Sequence, residues 1–155
     1  MATPSESTAP IVREATARDA ARLAELAGQL GYPSTPEQVT RRLEKMKEDP
    51  RHIVLVAELA PGGAGGEVIG WLHIQECHLL ESDMRAEISG LVVADGQRSR
   101  GVGRLLIQQA EQWARARGCQ AVLLRSNVIR TRAHAFYQGL GYEVIKTQKV
   151  LRKIL

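Results

Sequence analysis

The chain has 155 residues, of which 44% are hydrophobic and 25% are charged, and its formal net charge is +4. This length suits one sizeable core and is too short for two ordinary domains. No window approaches the roughly 20 apolar residues of a membrane-spanning helix. Residues 1–10 lack the layout of a signal peptide, so we expect a flexible N-terminus followed by a single domain over residues 11–155.

The two cysteines, Cys77 and Cys119, lie in apolar stretches and have no spacing typical of metal ligands. They favour a reducing cytoplasm over a disulfide framework. We therefore expect a cytoplasmic protein without a metal site.

The first third of the chain predicts a short strand and two helices. The strand is expected at residues 11–14. Residues 16–19 are similar to a capping box, and Gly31 ends the helix that follows. Thr35 and Pro36 then supply an N-cap and a proline at the first helical position, so a second helix begins there.

Three strands are expected in the middle of the chain, at residues 52–58, 68–78 and 86–93. The glycine-rich run 60–66 is typical of a flexible turn and predicts antiparallel pairing of the first two strands. A second turn is expected at residues 81–84. Gly90 interrupts the third strand at a place where a β-bulge is expected.

The C-terminal part predicts a long amphipathic helix ended by Gly118, a buried strand at 121–125, a short helix over about 131–138, and one or two final strands within 142–154. The strand–helix–strand unit from 86 to 125 should be parallel. The sequence therefore predicts an α/β fold with a central mixed, mostly antiparallel sheet flanked by helices.

The strongest motif has the pattern R-x-x-G-x-G and lies between the strand ending at Val93 and the long helix. A helix N-terminus attracts anions because its first N–H groups are unpaired and carry partial positive charge. Glycines allow close approach of the backbone, and arginines add charge-assisted hydrogen bonds. The predicted phosphate-binding residues are Arg98, Ser99, Arg100, Gly101, Val102, Gly103 and Arg104.

Two other kinds of phosphate loop do not fit this segment. Leu106 occupies the third glycine position of a dinucleotide fingerprint, and no Gly-Lys-Ser/Thr follows as in a Walker loop.

With this loop, the strand of residues 86–93 before it and the later run 127–142, the sequence closely resembles the GNAT acetyltransferases. The resemblance implies that the loop binds the pyrophosphate of coenzyme A. It also implies that acetyl-CoA is the co-substrate, held in addition by the backbone of Leu91, Val92 and Val93 and by Asn127. Asn127 also fits a turn or helix-cap residue.

Two residues are candidates for catalysis by the same resemblance. Glu87, which lies 14 residues before Gly101, is the candidate base, acting directly or through a water; the alternative is a strand glutamate that only tunes substrate binding. Tyr137 is the candidate acid that protonates the departing thiolate; the alternative is a tyrosine of the core.

Charge is distributed unevenly along the chain. Residues 67–95 contain six acidic residues and one base, whereas residues 96–135 contain eight arginines and one acidic residue. One interpretation is two solvated faces. The other is a polyphosphate ligand on one side and a cationic substrate on the other, with residues 76–87 facing the substrate.

The predicted activity is acetyl transfer to a primary amine by direct attack in a ternary complex, with a cationic small molecule of aminoglycoside or polyamine type as acceptor. Alternatives are a protein or peptide amine, a longer acyl donor, or a non-catalytic acyl-CoA-binding regulatory module. We expect neither nucleic acid nor membrane as a partner, because the arginines are not interleaved with an aromatic platform or a recognition helix. A homodimer is compatible with the sequence.

Overall fold

A computed structural model describes residues 9–59 and 66–155 of the chain. It divides into two compact units, Met1–Leu124 and Arg125–Leu155. The first unit contains the sheet and the second contains a short helix; each is described by itself below.

Five strands form the sheet of the first unit in the order β1-β2-β3-β4-β5. Their bounds are β1 Ile11–Glu14, β2 His52–Leu59, β3 Glu67–Leu79, β4 Ser82–Val93 and β5 Val122–Leu124. The first four strands pair antiparallel, and β5 pairs parallel with β4. The predicted mixed, mostly antiparallel sheet is therefore confirmed, as is the parallel unit around the long helix.

Three helices accompany the sheet: α1 Ala20–Leu30, which follows a short 3-10 turn, α2 Pro36–Lys47, and α3 Val102–Ala116. The predicted N-cap of α2 is present and forms a capping box, since Thr35 Oγ1 accepts the N–H of Gln38 at 3.2 Å and Gln38 Oε1 accepts the N–H of Thr35 at 3.0 Å. Gly31 ends α1 in a left-handed conformation, with φ of 100°.

The sheet has an apolar core on each face. On one face, Leu26 of α1 and Leu43 of α2 join Val56 and Val92 in a buried cluster, with Trp71 packed against it. On the other face, α3 lies close to the strands: a Cβ at Gly70 would meet Leu106 Cδ1 at 3.3 Å. Residues along β3 thus alternate between the α1/α2 face and the α3 face.

A partly buried ion network ties β1 to β2 and to the turn before α1. The guanidinium of Arg13 donates to both carboxylate oxygens of Asp19, at 2.8 and 2.9 Å, and to Glu58 Oε2 at 2.8 Å. Asp19 also accepts the N–H of Thr16 at 2.8 Å. These contacts hold the pKa values of the Asp19 and Glu58 carboxyls below their usual range.

Three predictions need correction. The strand β4 begins at Ser82, so the expected turn at 81–84 is shorter, and β5 is half-buried and spans only three residues. The final strands expected within 142–154 were wrong, because residues 143–155 form neither helix nor strand and are exposed throughout. The apolar residues in this range occur in adjacent pairs, and neighbouring residues of a strand point to opposite faces. These pairs therefore do not define one apolar face for a strand.

The predicted turn at 60–66 lies almost entirely outside the described residues. The antiparallel pairing that it was expected to permit, between β2 and β3, is confirmed.

Candidate active site

The loop between β4 and α3 has the geometry of an anion-binding cradle. Ser99 and Gly101 both adopt left-handed backbone conformations, with φ of 68° and 79°. Such alternation turns successive N–H groups toward one side and forms a concave nest. The N–H of Leu105 makes the first helical bond, to Gly101 O at 3.0 Å, so the N–H groups of residues 102–104 have no acceptor within α3. The loop therefore has unpaired N–H groups suited to an anion, and phosphate binding by residues 98–104 stays a prediction.

The three arginines of the loop differ in their surroundings. Arg98 folds back on the loop, because its Nε donates to Val93 O at 3.3 Å and its Nη2 lies 3.0 Å from Asp95 Oδ1. Arg100 Nη1 donates to Gln97 Oε1 at 3.3 Å. These two side chains shape the loop as well as adding charge, and Arg104 is exposed on the first turn of α3.

The end of β4 offers backbone groups at an open edge within the first unit. The pairing of β4 with β5 covers only residues 86–88. The N–H of Ala94 donates to Ile69 O of β3 at 2.8 Å. Along an antiparallel strand, successive N–H groups point alternately to one edge and to the other. The amide of Val92 therefore also points to β3, whereas the amides of Leu91 and Val93 point to the opposite edge. Leu91 and Val93 are thus the predicted backbone contacts that remain available to a ligand there.

The expected bulge is present where Gly90 interrupts β4. The register shifts by one residue between His73 and Ile74 of β3, which leaves Ser89 as the extra residue. A Cβ at position 90 would lie 2.8 Å from Trp71 Cζ3. The glycine is therefore needed because the indole of Trp71 lies against the backbone at the bulge.

The candidate base Glu87 belongs to a row of polar side chains on the α1/α2 face. In the register, His52 of β2 pairs with Gln75 of β3, and Gln75 pairs with Glu87 of β4. Directly paired residues place their side chains on the same face of the sheet. Ser89 adjoins this polar row, since its Oγ accepts Gln75 Nε2 at 2.9 Å. We call His52, Gln75 and Glu87 the polar row.

His73 is a second histidine on the same face as His52. His73 and His52 lie edge to edge with nearly parallel rings: their ring centroids are 5.3 Å apart, and His52 Nδ1 lies 3.0 Å from His73 Nε2. Burial and the neighbouring imidazole lower the pKa of His73 to about 4. Sequence reasoning missed this pair; the alternation of Trp71, His73 and Gln75 along β3 was the available signal, but the partner strand fixes which histidines meet.

The acidic segment 76–87 does not face one side as expected. Glu76 pairs with Ala86, one step from Glu87 in register, and its carboxylate binds Arg117, at the end of α3, and His78. Glu76 thus lies on the α3 face, opposite Glu87. Glu67 and Asp95 are also in ion pairs, with Arg22 and Arg98, so local pairing accounts for part of the acidic excess.

The second unit contains the other two predicted residues on and before helix α4, Thr131–Gly139. Asn127 Oδ1 accepts the N–H of Ile129 at 3.2 Å, and the backbone carbonyl oxygen of Asn127 lies 3.0 Å from His134 Nε2. The side-chain oxygen of Asn127 therefore stabilises a turn, which agrees with the alternative interpretation of Asn127 as a turn residue. Burial raises the pKa of the Tyr137 phenol, so this group keeps its proton at neutral pH. Its ring contacts Phe136 and Tyr142.

Within residues 9–59 and 66–155, no three histidine, cysteine, aspartate or glutamate side chains are grouped in a way that could hold a metal ion. In the same described part, no helix has the length and apolarity needed to span a membrane.

The mixed sheet thus contains a bulged β4, which is followed by a glycine-containing cradle at a helix N-terminus. The sequence model of the acetyltransferase (GNAT) family matches residues 19–142. The chain belongs to this family and is an acetyltransferase, as the sequence predicted.

Known relatives and a solved structure agree with this assignment. The aminoglycoside N(6')-acetyltransferase type 1 of Stenotrophomonas maltophilia is 29% identical over 149 residues, covering 94% of this chain and 92% of the relative. The aminoalkylphosphonate N-acetyltransferase of Salmonella typhimurium is 39% identical over 80 residues, about half of each chain (50% and 51%). An aminoglycoside N-acetyltransferase in complex with CoA has the same fold, with a TM-score of 0.83 at 19% identity, covering 97% of this chain and 99% of that one.

Proposed function

We propose that the protein transfers the acetyl group of acetyl-CoA to a primary amine of a cationic small molecule, by direct attack in a ternary complex. The observation that carries this proposal is the cradle of Ser99 and Gly101 at the start of α3, directly after the strand that bears Glu87. The names of the two relatives, which act on aminoglycosides and aminoalkylphosphonates, support a small amine acceptor.

The residues present fit coenzyme A. The N–H groups of residues 99–104 and the exposed Arg104 suit its phosphates. The outward-facing amides of Leu91 and Val93 suit the amide groups of its extended arm and the thioester oxygen. Asn127 is proposed as a further contact of coenzyme A by the resemblance to the family alone. When bound, acetyl-CoA supplies an acetyl thioester, which is the electrophile of the reaction.

Two side chains are proposed to move protons. An amine attacks only as the free base, so a group near it must accept a proton at neutral pH. Glu87 lies on a half-exposed sheet face, where its carboxylate attracts an ammonium ion and accepts its proton, directly or through a water. Tyr137 keeps its phenol proton because burial raises its pKa, and we assign it the protonation of the leaving thiolate.

The test is an amine panel in which free thiol release from acetyl-CoA is followed. The panel contains aminoglycosides, polyamines, an aminoalkylphosphonate and peptides with free N-terminal or lysine amines. We expect turnover with at least one small cationic amine. Turnover with peptides alone would replace the small-molecule acceptor by a protein, and no turnover with any amine would refute the proposed reaction.

Glu87→Gln tests the base, because it keeps the shape and removes proton acceptance. The rate at neutral pH should fall strongly and recover as the pH approaches the pKa of the amine. Asp83→Asn is the matched control, since Asp83 is an exposed carboxylate on the same strand. If Glu87 only attracts the cation, its replacement would raise KM, leave the pH profile unchanged, and have less effect in high salt.

A further inference from the structure

Ser89 is the extra residue of the bulge in β4, and its side chain lies on the face that bears Glu87. The register skips Ser89, because Ile88 and Gly90 pair with consecutive residues of β3. A bulge re-aims a side chain, and bulges are frequent next to active sites. Here the bulge directs the exposed hydroxyl of Ser89 to Gln75. The proposed reaction assigns this hydroxyl no role.

A hydrogen bond from Gln75 determines what Ser89 offers to a ligand. Gln75 Nε2 donates to Ser89 Oγ at 2.9 Å. A serine hydroxyl has one proton and two lone pairs, and this bond uses a lone pair. The proton of the hydroxyl is therefore available to an acceptor atom. The second lone pair lies beside the amide hydrogens of Gln75, whose partial positive charge opposes the approach of a cation. Ser89 thus acts as a hydrogen-bond donor.

Gln75 also connects Ser89 with the candidate base. Gln75 and Glu87 are directly paired across β3 and β4, which places their Cβ atoms about 4.5–5.5 Å apart on one face. Glu87 and Ser89 are two positions apart on β4, a distance of about 7 Å along the strand. A hydrogen bond spans about 2.7–3.0 Å. A small molecule can therefore bind the carboxylate through its amine and the hydroxyl through an oxygen within two or three carbon atoms of that amine.

We infer that Ser89 is a specificity-determining residue, whose hydroxyl donates a hydrogen bond to an oxygen of the acceptor near the amine that is acetylated; this inference rests on the proposed acetyl transfer. The favoured acceptors are amines with a hydroxyl, ether or acid oxygen close to the reactive nitrogen. An alkyl amine or a polyamine offers no oxygen there. A site built to bind a polar group discriminates against analogues that lack this group, because the donor of the site then loses its partner.

Two amines of nearly equal size test this inference. 2-Methoxyethylamine has an ether oxygen two carbon atoms from its nitrogen, and butylamine has a methylene group in the place of that oxygen. Thiol release from acetyl-CoA gives kcat/KM for each amine. The quantity compared between variants is the ratio of kcat/KM for 2-methoxyethylamine to kcat/KM for butylamine. The intrinsic reactivity of the two amines is the same for every variant, so it cancels in this comparison.

Ser89→Ala should lower the ratio about three- to tenfold, which is the effect of one neutral hydrogen bond. The change should come from 2-methoxyethylamine, with kcat/KM for butylamine unaltered. Ser82→Ala is the matched control, since Ser82 is also an exposed serine on β4 and lies at the other end of the strand. It should leave the ratio unchanged.

Gln75→Glu tests the orientation of the hydroxyl. A carboxylate at position 75 accepts the proton of Ser89 and withholds it from the ligand, so the ratio should fall as it does in Ser89→Ala. The added negative charge attracts both amines alike, because both carry the same ammonium group. An unchanged ratio in Gln75→Glu would overturn the orientation by Gln75.

Three results overturn the role of Ser89 and leave the acetyl transfer intact. They are an equal loss of rate with both amines in Ser89→Ala, an unchanged ratio in that variant, and an unaltered enzyme that acetylates neither probe although it acetylates another amine of the panel. If the unaltered enzyme releases no thiol with any amine, the proposed function fails, and the inference fails with it.

Discussion

Replacing Gly101 by alanine should damage the phosphate cradle by a predictable amount. A Cβ at this position meets nothing within 4 Å, so the only cost is the backbone angle of 79°. A left-handed conformation costs a residue with a Cβ about 1–2 kcal/mol. If the unliganded loop relaxes to avoid this strain, the binding of coenzyme A must force residue 101 back into the left-handed conformation. The dissociation constant should then rise by about five- to thirtyfold, since 1.4 kcal/mol corresponds to a factor of ten.

Gly31→Ala is the matched control for this substitution. Gly31 is also left-handed, with φ of 100° and open space around it, but it ends α1 and lies outside the cradle. Gly31→Ala should lose stability, with Tm falling by roughly 2–4 °C for each kcal/mol, whereas Gly101→Ala should lose less because its unliganded loop relaxes. Only Gly101→Ala should bind coenzyme A more weakly.

Thermal unfolding and titration calorimetry with coenzyme A on the two variants and the unaltered protein provide the comparison. The reasoning is refuted if Gly101→Ala keeps the Tm of the unaltered protein, as a relaxed loop does, and still binds coenzyme A as tightly as Gly31→Ala does. In that case the backbone of residues 99–104 would not form the phosphate site.

Three further predictions concern single substitutions. Tyr137→Phe should lower kcat about 10²-fold with little change in acetyl-CoA affinity, measured by steady-state kinetics and calorimetry. A kcat within twofold of the unaltered enzyme would show that Tyr137 only packs in the fold. Asp19→Asn should cost about 3 kcal/mol at pH 7, because it leaves Arg13 partly uncompensated. Since the pKa of the Asp19 carboxyl is lowered on folding, its contribution is present above the unfolded value of about 3.9 and disappears as the pH falls through the folded value. Denaturant midpoints should therefore converge in acid; a gap that persists there would refute the assignment. Gly90→Ala should cost about 1–3 kcal/mol by the same measurement, because its Cβ would press on Trp71; an unchanged midpoint would show that the indole is free to move.

Local chemistry explains why much of the fold was predictable. Thr35 and Gln38 specify the start of α2 through reciprocal hydrogen bonds, and Pro36 occupies the first helical position. Gly31 and Gly118 adopt the left-handed angles that end α1 and α3. The cradle was predictable for the same reason, because its glycines, arginines and helix start are consecutive in the chain.

The errors have a different origin. The expected strands within 142–154 depend on a neighbour to which their backbone can bond, and their paired apolar residues do not specify one. The extra residues of β4 before Ala86 pair with the end of β3, so the length of β4 is set by its partner rather than by its own composition.

The sequence by itself determined the family, the cradle of residues 98–104 and the candidate base Glu87, since each depends on short-range order or spacing along one segment. Only the tertiary structure decided which side chains share the face of Glu87. Strand register joins His52, Gln75 and Glu87 although 35 residues separate the first from the last, and it places Glu76 on the opposite face although it is adjacent to Gln75. Side chains alternate along a strand, so one step of register moves a group from one face to the other. That step is set by how strands pair, which no single segment specifies.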